Sequence, residues 1–291
     1  MTKPFAFPQV DIALSESPDR LRDLTVLSPA LGRRADVTVY AAAGAADVDS
    51  LPVVILLHGV YGSHWAWARS GFAHVALADL VTAGQVAPMV LAMPSDGMFG
   101  IGSGYLDRAG ENAERWIVQE VPEAVRLVHP TAALDDVSIA GLSMGGWGAL
   151  RLAALHPGRF RAAVGMSPLT RVAHVADYAP IEMRARHAPR VELPELLDAL
   201  VAAGSRLPPV RITCGIEDEL ITDVRRLHDG LSAAGIPHEY AEGPGGHSWD
   251  YWTQDVRTAL RFIDRVRSGA LLGPAARASV RTRPGVAPGP P

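Results

Sequence analysis

The sequence predicts an α/β fold with a mostly parallel central sheet and helices on both faces. Two observations carry this. Several short apolar runs stop abruptly at Gly, Pro or Ser, and stretches with helical spacing separate them. A run of aliphatic and β-branched residues with no polar alternation reads as a strand buried on both faces, as a parallel sheet covered by helices requires.

The first such run is Val53-Val54-Ile55-Leu56-Leu57, which ends in His58-Gly59. Met89 to Met93 ends in Pro94, Val137 to Ala140 at Gly141, Ala162 to Met166 in Ser167-Pro168, and Val210 to Cys214 at Gly215. A later strand begins near His238. Upstream, Leu24 to Ser28 and Asp36 to Tyr40 are predicted to pair as antiparallel edge strands. Among the helical stretches, Trp116, Glu120, Glu123 and Leu127 form one stripe opposing Ile117, Val121, Val125 and Val128. Pro122 should kink that helix or begin a new one. Trp147 to Leu155 reads as a helix closed by His156-Pro157-Gly158. Trp252, Val256, Leu260 and Ile263 mark one face of a final helix.

Two segments interrupt the alternation. Residues 169–209, with five prolines, are predicted to form a small helical, cap-like insertion near the site. The Pro-rich tail 271–291 lacks apolar periodicity and is expected to be mobile. Residues 1–270 are expected to form one domain, since α/β folds often use such a length as a single unit.

Composition narrows the function classes. The chain has 291 residues, 48% of them hydrophobic and 20% charged, as in an ordinary globular protein. A formal charge of -4 offers no broad basic field, so nucleic acid and anionic membranes are excluded as expected partners. Cys214 is the only cysteine, so no internal disulfide can form. Residues 1–10 lack the apolar core of a signal peptide, and no apolar run approaches the roughly 20 residues that span a bilayer. The expectation is a cytoplasmic protein, with self-association into a homo-oligomer left open. No histidine pair has H-E-x-x-H or Cys/His spacing, so neither a metal nor another cofactor is expected.

The chemistry centres on Gly141-Leu142-Ser143-Met144-Gly145. This fits G-x-S-x-G, a sharp strand-to-helix turn that exposes a strained serine. The pattern alone is weak, but here it follows a buried strand and precedes a helix. A serine hydroxyl needs a base to become nucleophilic. His247, in the glycine-rich run Gly243-Pro244-Gly245-Gly246-His247, lies just before the last helix and is the favoured base over His228 and His238. Asp218, in the loop after the fifth run, is the expected partner that orients His247. Glu217 is the runner-up, and Asp223 better suits the first turn of a helix. The oxyanion formed on attack needs fixed donors. Met144 N–H and Val60 N–H are the candidates, with Tyr61 N–H as the alternative to Val60.

These residues resemble the esterase group of the α/β-hydrolases, which includes esterase D, tributyrin, feruloyl and acetylxylan esterases and the antigen 85 mycolyltransferases. The matching pieces are Leu56-Leu57-His58-Gly59 with Gly62-Ser63-His64-Trp65, Gly141 to Gly146, Cys214 to Asp218, and Gly245 to Trp252. The resemblance implies the α/β-hydrolase fold, Ser143, Asp218 and His247 as triad, and Val60 with Met144 as oxyanion donors. Pro94 to Gly100 is similar to the family's Pro-Asp-Gly loop with one residue added. The elbow has Leu142 where esterase D would have a histidine, which argues against glutathione thioesters.

Several sharper readings yield to plainer ones. Gly100 to Gly104 lacks the spacing of a nucleotide loop and reads as a flexible site loop. His58 reads as a hydrogen-bonded structural residue and Cys214 as a buried apolar one. Tyr61, Trp65, Trp147 and Trp249 are candidate substrate-binding residues; for Trp65, Trp67 and Trp147 the choice lies between lining an acyl pocket and ordinary packing. The expected activity is hydrolysis of short-chain carboxylic esters, small molecules, through an acyl-enzyme. Acyl transfer or thioester cleavage by the same triad, and a non-catalytic binding protein on this scaffold, are the rivals.

Overall fold

The computed structural model describes residues 8–10, 20–42, 44, 49–97, 99–108, 110–181 and 195–270. The anticipated tail 271–291 lies outside them, as does 182–194 within the anticipated insertion. The strands are β1 (Pro8–Val10), β2 (Leu21–Ser28), β3 (Arg33–Ala41), β4 (Leu51–Leu57), β5 (Val90–Pro94), β6 (Ala132–Leu142), β7 (Ala163–Met166), β8 (Val210–Gly215) and β9 (Glu239–Gly243). They form one sheet in the order β1-β2-β3-β5-β4-β6-β7-β8-β9. From β5 to β9 every pairing is parallel, whereas β1, β2 and β3 join antiparallel.

The helices are α1 (Ala66–Arg69), α2 (Ala73–Thr82), α3 (Ala113–Arg115), α4 (Val121–Val128), α5 (Met144–Leu155), α6 (Leu196–Ala203), α7 (Ile221–Ala233) and α8 (Trp249–Arg267). They cover both faces. Along β4, Val53, Ile55 and Leu57 enter a core with α4, α5, α6 and α7, while Val54 and Leu56 enter a second core with α2 and α8. All seven residues of β4 are buried. Burying each Val, Leu or Ile side chain contributes about 1.5–3 kcal/mol, which explains why the run carries no polar residue.

Two expectations change. The pair β2 and β3 is antiparallel, but β3 is interior, flanked by β2 and β5, and β1 lies outside β2. Trp116 and Glu120, assigned to the stripe opposing Ile117 and Val121, are buried with them. The cause is a π-helical turn, Trp116–Glu120, inserted between α3 and α4, which shifts the side-chain register. Pro122 then sits in the first turn of α4, where its missing N–H costs nothing. The turned-in Glu120 accepts hydrogen bonds from Ser28 Oγ at 2.5 Å and from Ala30 N–H at 3.0 Å, so its burial is satisfied.

After β4 the chain forms β5 on one side, then crosses to form β6 on the other. The carboxyl ends of β4 and β6 therefore flank a topological switch point, where open α/β sheets place their ligand crevice.

Candidate active site

Ser143 sits between the end of β6 and the start of α5 with φ 52° and ψ -120°, outside the regions that non-glycine residues normally occupy. Close backbone contacts hold it there. A Cβ on Gly141 would lie 2.3 Å from Gly145 O, and one on Gly145 would lie 2.3 Å from Leu57 O. The first turn of α5 thus presses directly on the ends of β4 and β6. Ser143 N–H donates to Met166 O at 2.9 Å and its carbonyl accepts from Leu169 N–H at 3.1 Å, which fixes the turn further.

The loops after β8 and β9 bring up the other two groups. His247 Nε2 is 3.0 Å from Ser143 Oγ, while Nδ1 is 2.9 Å from Asp218 Oδ2 and 3.1 Å from Oδ1. With the Nδ1–H tautomer that Asp218 favours, Nε2 is free to accept the serine proton. Burial pushes the Asp218 carboxyl up, but hydrogen bonds from His247 and Leu220 N–H outweigh it and hold the group below the usual carboxylate range. Asp218 is buried, so its charge is little screened and is aimed at the imidazole. The His247 ring packs edge-on against Trp252, with centroids 4.8 Å apart, and Trp252 packs in the same way on Trp249.

The rival carboxylates point elsewhere. Glu217 accepts a hydrogen bond from Gly245 N–H and so ties down the histidine loop. Asp223 pairs with Arg226 at 2.9 Å in the first turn of α7. His228 and His238 bond to each other at 2.8 Å, away from Ser143.

Donors for an oxyanion follow from the backbone. Met144 begins α5, and the first N–H groups of a helix have no intrahelical partner. In the turn after β4, Tyr61 N–H is already bonded to Ile101 O at 2.7 Å, whereas Val60 N–H has no partner among the described residues. Gly59 brings that turn against the nucleophile, since a Cβ there would lie 3.3 Å from Ser143 Cβ. The loop expected to be flexible, Gly100 to Gly104, is instead pinned. Ser103 N–H donates to Asp96 Oδ2 at 2.5 Å, Gly104 N–H approaches Met144 Sδ at 3.4 Å, and Tyr105 Oη donates to His58 O at 2.9 Å. His58 is buried with Nδ1 on Gly59 O at 2.7 Å, as a structural residue should be.

Ser143 and His247 open into a cleft of about 490 Å³. Of the candidate substrate-binding residues, Tyr61, Trp65 and Trp249 line it. Trp147 does not: it lies fully buried in the core beneath α5, because that helix turns this side chain inward, and Arg151 stacks over its ring. Trp67 is also buried, donating Nε1–H to Leu57 O at 2.9 Å. The sequence reading missed Trp252, Tyr178 and Glu219, all of which line the cleft. For Trp252 the signal was present, since it lies three residues after Trp249 on one helix face. Tyr178 and Glu219 carried no such signal. Tyr61 Oη donates to Tyr178 O, and Tyr178 Oη donates to Glu219 Oε1 at 2.8 Å, bridging the mouth. Cys214 is buried, which pushes its thiol up to about 12, so it stays protonated and unreactive. No group of three or more His, Cys, Asp or Glu converges as metal ligands among the described residues, and no described helix is long and apolar enough to cross a membrane.

The chain is similar to known esterases in sequence and in fold. The family described as Putative esterase matches residues 28–263. An acetyl esterase of Caldicellulosiruptor saccharolyticus is 27% identical over 241 residues, covering 76% of this chain and 86% of that protein. A ferulic acid esterase structure superposes with a TM-score of 0.70 at 25% identity, over 84% of this chain and 98% of that one. FphF, a fluorophosphonate-binding serine hydrolase of Staphylococcus aureus, gives 0.70 and 25% over 84% of this chain and 97% of that one. A serine on a strained turn, a histidine and a buried aspartate thus stand within the matched segment of an α/β-hydrolase sheet, and the chain belongs to the Putative esterase family of carboxylic ester hydrolases.

Proposed function

We propose that the protein hydrolyses short-chain acyl esters through an acyl-enzyme on Ser143. Ser143 Oγ attacks the ester carbonyl while His247 Nε2 takes its proton, and Asp218 steadies the imidazolium. The N–H groups of Val60 and Met144 hold the oxyanion. Collapse of the tetrahedral intermediate breaks the bond to the alcohol, which leaves with the proton from His247. Water then attacks the acyl-serine with His247 as base, releasing the acid and restoring Ser143.

The single observation that carries this is the continuous contact from Asp218 through His247 to Ser143 Oγ, at 2.9 Å and 3.0 Å. The likeness to an acetyl esterase supports a small acyl group, and the segment that carries Tyr178 is proposed to act as a partial cap, since Tyr178 lines the cleft. A fluorophosphonate should label Ser143, and p-nitrophenyl acetate should be hydrolysed at a rate that rises with pH as an imidazole loses its proton. Ser143→Ala should abolish labelling and lower turnover on the order of 10⁴-fold or more. Retained turnover in that variant, or a flat profile from pH 5 to 8, would sink the proposal.

A further inference from the structure

Ser167 immediately follows β7, and its sequence position marks it only as a strand breaker. The structure makes it unusual in two independent ways. It is fully buried with φ 43°, a left-handed conformation that glycine takes freely and other residues avoid. Its Oγ is buried with no partner at hydrogen-bond distance and angle among the described residues. The backbone at this point needs no side chain, because Ser167 N–H donates to Thr213 O at 2.7 Å and so docks the end of β7 on β8. Glycine would make the same backbone bond without strain and would bury no orphaned hydroxyl. Strain and an unpaired buried polar group at one residue point to a use for that hydroxyl.

The use is found at the neighbouring strand end. The hydroxyl lies within reach of both the Cys214 thiol and the Asp218 carboxylate; the carboxylate, as the charged acceptor, is the stronger partner, and the hydroxyl helps keep it ionised, although burial and the bonds from His247 and Leu220 act more strongly. Asp218 also has acceptor capacity left. Oδ1 receives Leu220 N–H at 2.8 Å and faces His247 Nδ1, whereas Oδ2 has His247 Nδ1, at 2.9 Å, as its one partner at hydrogen-bond distance and angle among the described residues.

We infer that Ser167 is a positioning residue whose hydroxyl donates to the Asp218 carboxylate and fixes it against His247 during proton transfer. The inference rests on the hydrolase reading above. Hydrogen bonds of this kind are often loose in a resting enzyme and tighten when charge develops. Here the imidazolium draws the carboxylate toward it, and a second donor beside Leu220 N–H keeps the acceptor from turning out of line. Ser167 touches no substrate and moves no proton itself.

Ser167→Gly and Ser167→Ala test this, with p-nitrophenyl acetate kinetics from pH 5 to 9 and thermal melting of each variant. Both should lower the plateau kcat/KM about tenfold, the size expected for one hydrogen bond to a charged group. Both should also shift the acid limb to higher pH by about half a unit, because the uncompensated carboxylate favours the imidazolium. Ser167→Gly should melt at or above the wild-type temperature, since it relieves the strain. Unchanged rates and limbs in both variants would overturn the inference, as would a defect in Ala that Gly lacks. A rate loss that follows a fall in melting temperature with the acid limb unmoved would overturn it too. Wild-type protein that neither hydrolyses ester nor takes fluorophosphonate would overturn the hydrolase reading with it, whereas active wild type with unaltered variants would overturn only the role of Ser167.

Discussion

Beneath Ser143 the ends of β4 and β6 and the first turn of α5 meet backbone to backbone, with glycines where a methyl group has no room. At the mouth of the same cleft, Tyr61, Tyr178 and Glu219 span the opening through their side chains, and Tyr61 and Glu219 are exposed. The floor is positioned by contacts that cannot relax without moving a strand. The mouth is held by contacts that water can replace. Substitutions in the two regions should therefore differ in size and in kind: the floor should answer in stability and in the rate constant, the mouth in substrate affinity.

Gly145→Ala should break the floor most severely. Its Cβ would meet Leu57 O and His58 O at 2.3 Å and 2.5 Å, so α5 or β4 must shift. Overpacking of this sort costs about 3 kcal/mol, and displacement of Ser143 from His247 should lower kcat at least about 100-fold. Thermal melting with turnover on p-nitrophenyl acetate measures both, and a variant with wild-type kinetics would show that the floor is softer than its contacts imply.

The tryptophans sharpen the contrast. Trp147→Ala empties a buried site in the core and should cost about 3–5 kcal/mol in denaturant unfolding while leaving KM nearly unchanged. Trp249→Ala removes a cleft wall that packs on Trp67 and Trp252, and should raise KM about tenfold with a smaller loss of stability. An interchange of these two outcomes would reverse the assignment of Trp147 to the core.

The smallest effect is expected from Tyr178→Phe. It removes the bond to Glu219 Oε1 but leaves Tyr178 O to accept from Tyr61 Oη, so half of the bridge survives. An exposed hydrogen bond contributes roughly 1 kcal/mol or less, and kcat/KM should change by no more than about threefold. A loss of tenfold or more would mean that the mouth shares the rigidity of the floor.

Much of the candidate site was legible in the chain because its parts are local. Ser143 could be recognised from five consecutive residues between a strand and a helix, and His247 from a glycine-rich loop before the last helix. Asp218 followed from its place in the loop after β8. Errors arose where a local pattern was extended past its range. The π-helical turn at Trp116–Glu120 changes the helical period itself, so the stripe read at constant spacing put Glu120 on the wrong side. Trp147 lies four residues after the nucleophile, close in sequence, yet its helix directs the side chain into the core.

The sequence by itself determined most of the strands, the individual catalytic candidates and the strained turn, because each is read from residues within a few positions of one another. Only the tertiary structure decided which side chains share the cleft. Tyr61, Tyr178 and Glu219 come from three separate segments, and hydrogen bonds across 117 and 41 residues join them. The place of Ser167 beside Asp218 was decided in the same way, by the parallel pairing of β7 with β8. No spacing along the chain encodes that neighbourhood, since it exists only once the strand ends stand side by side in the sheet.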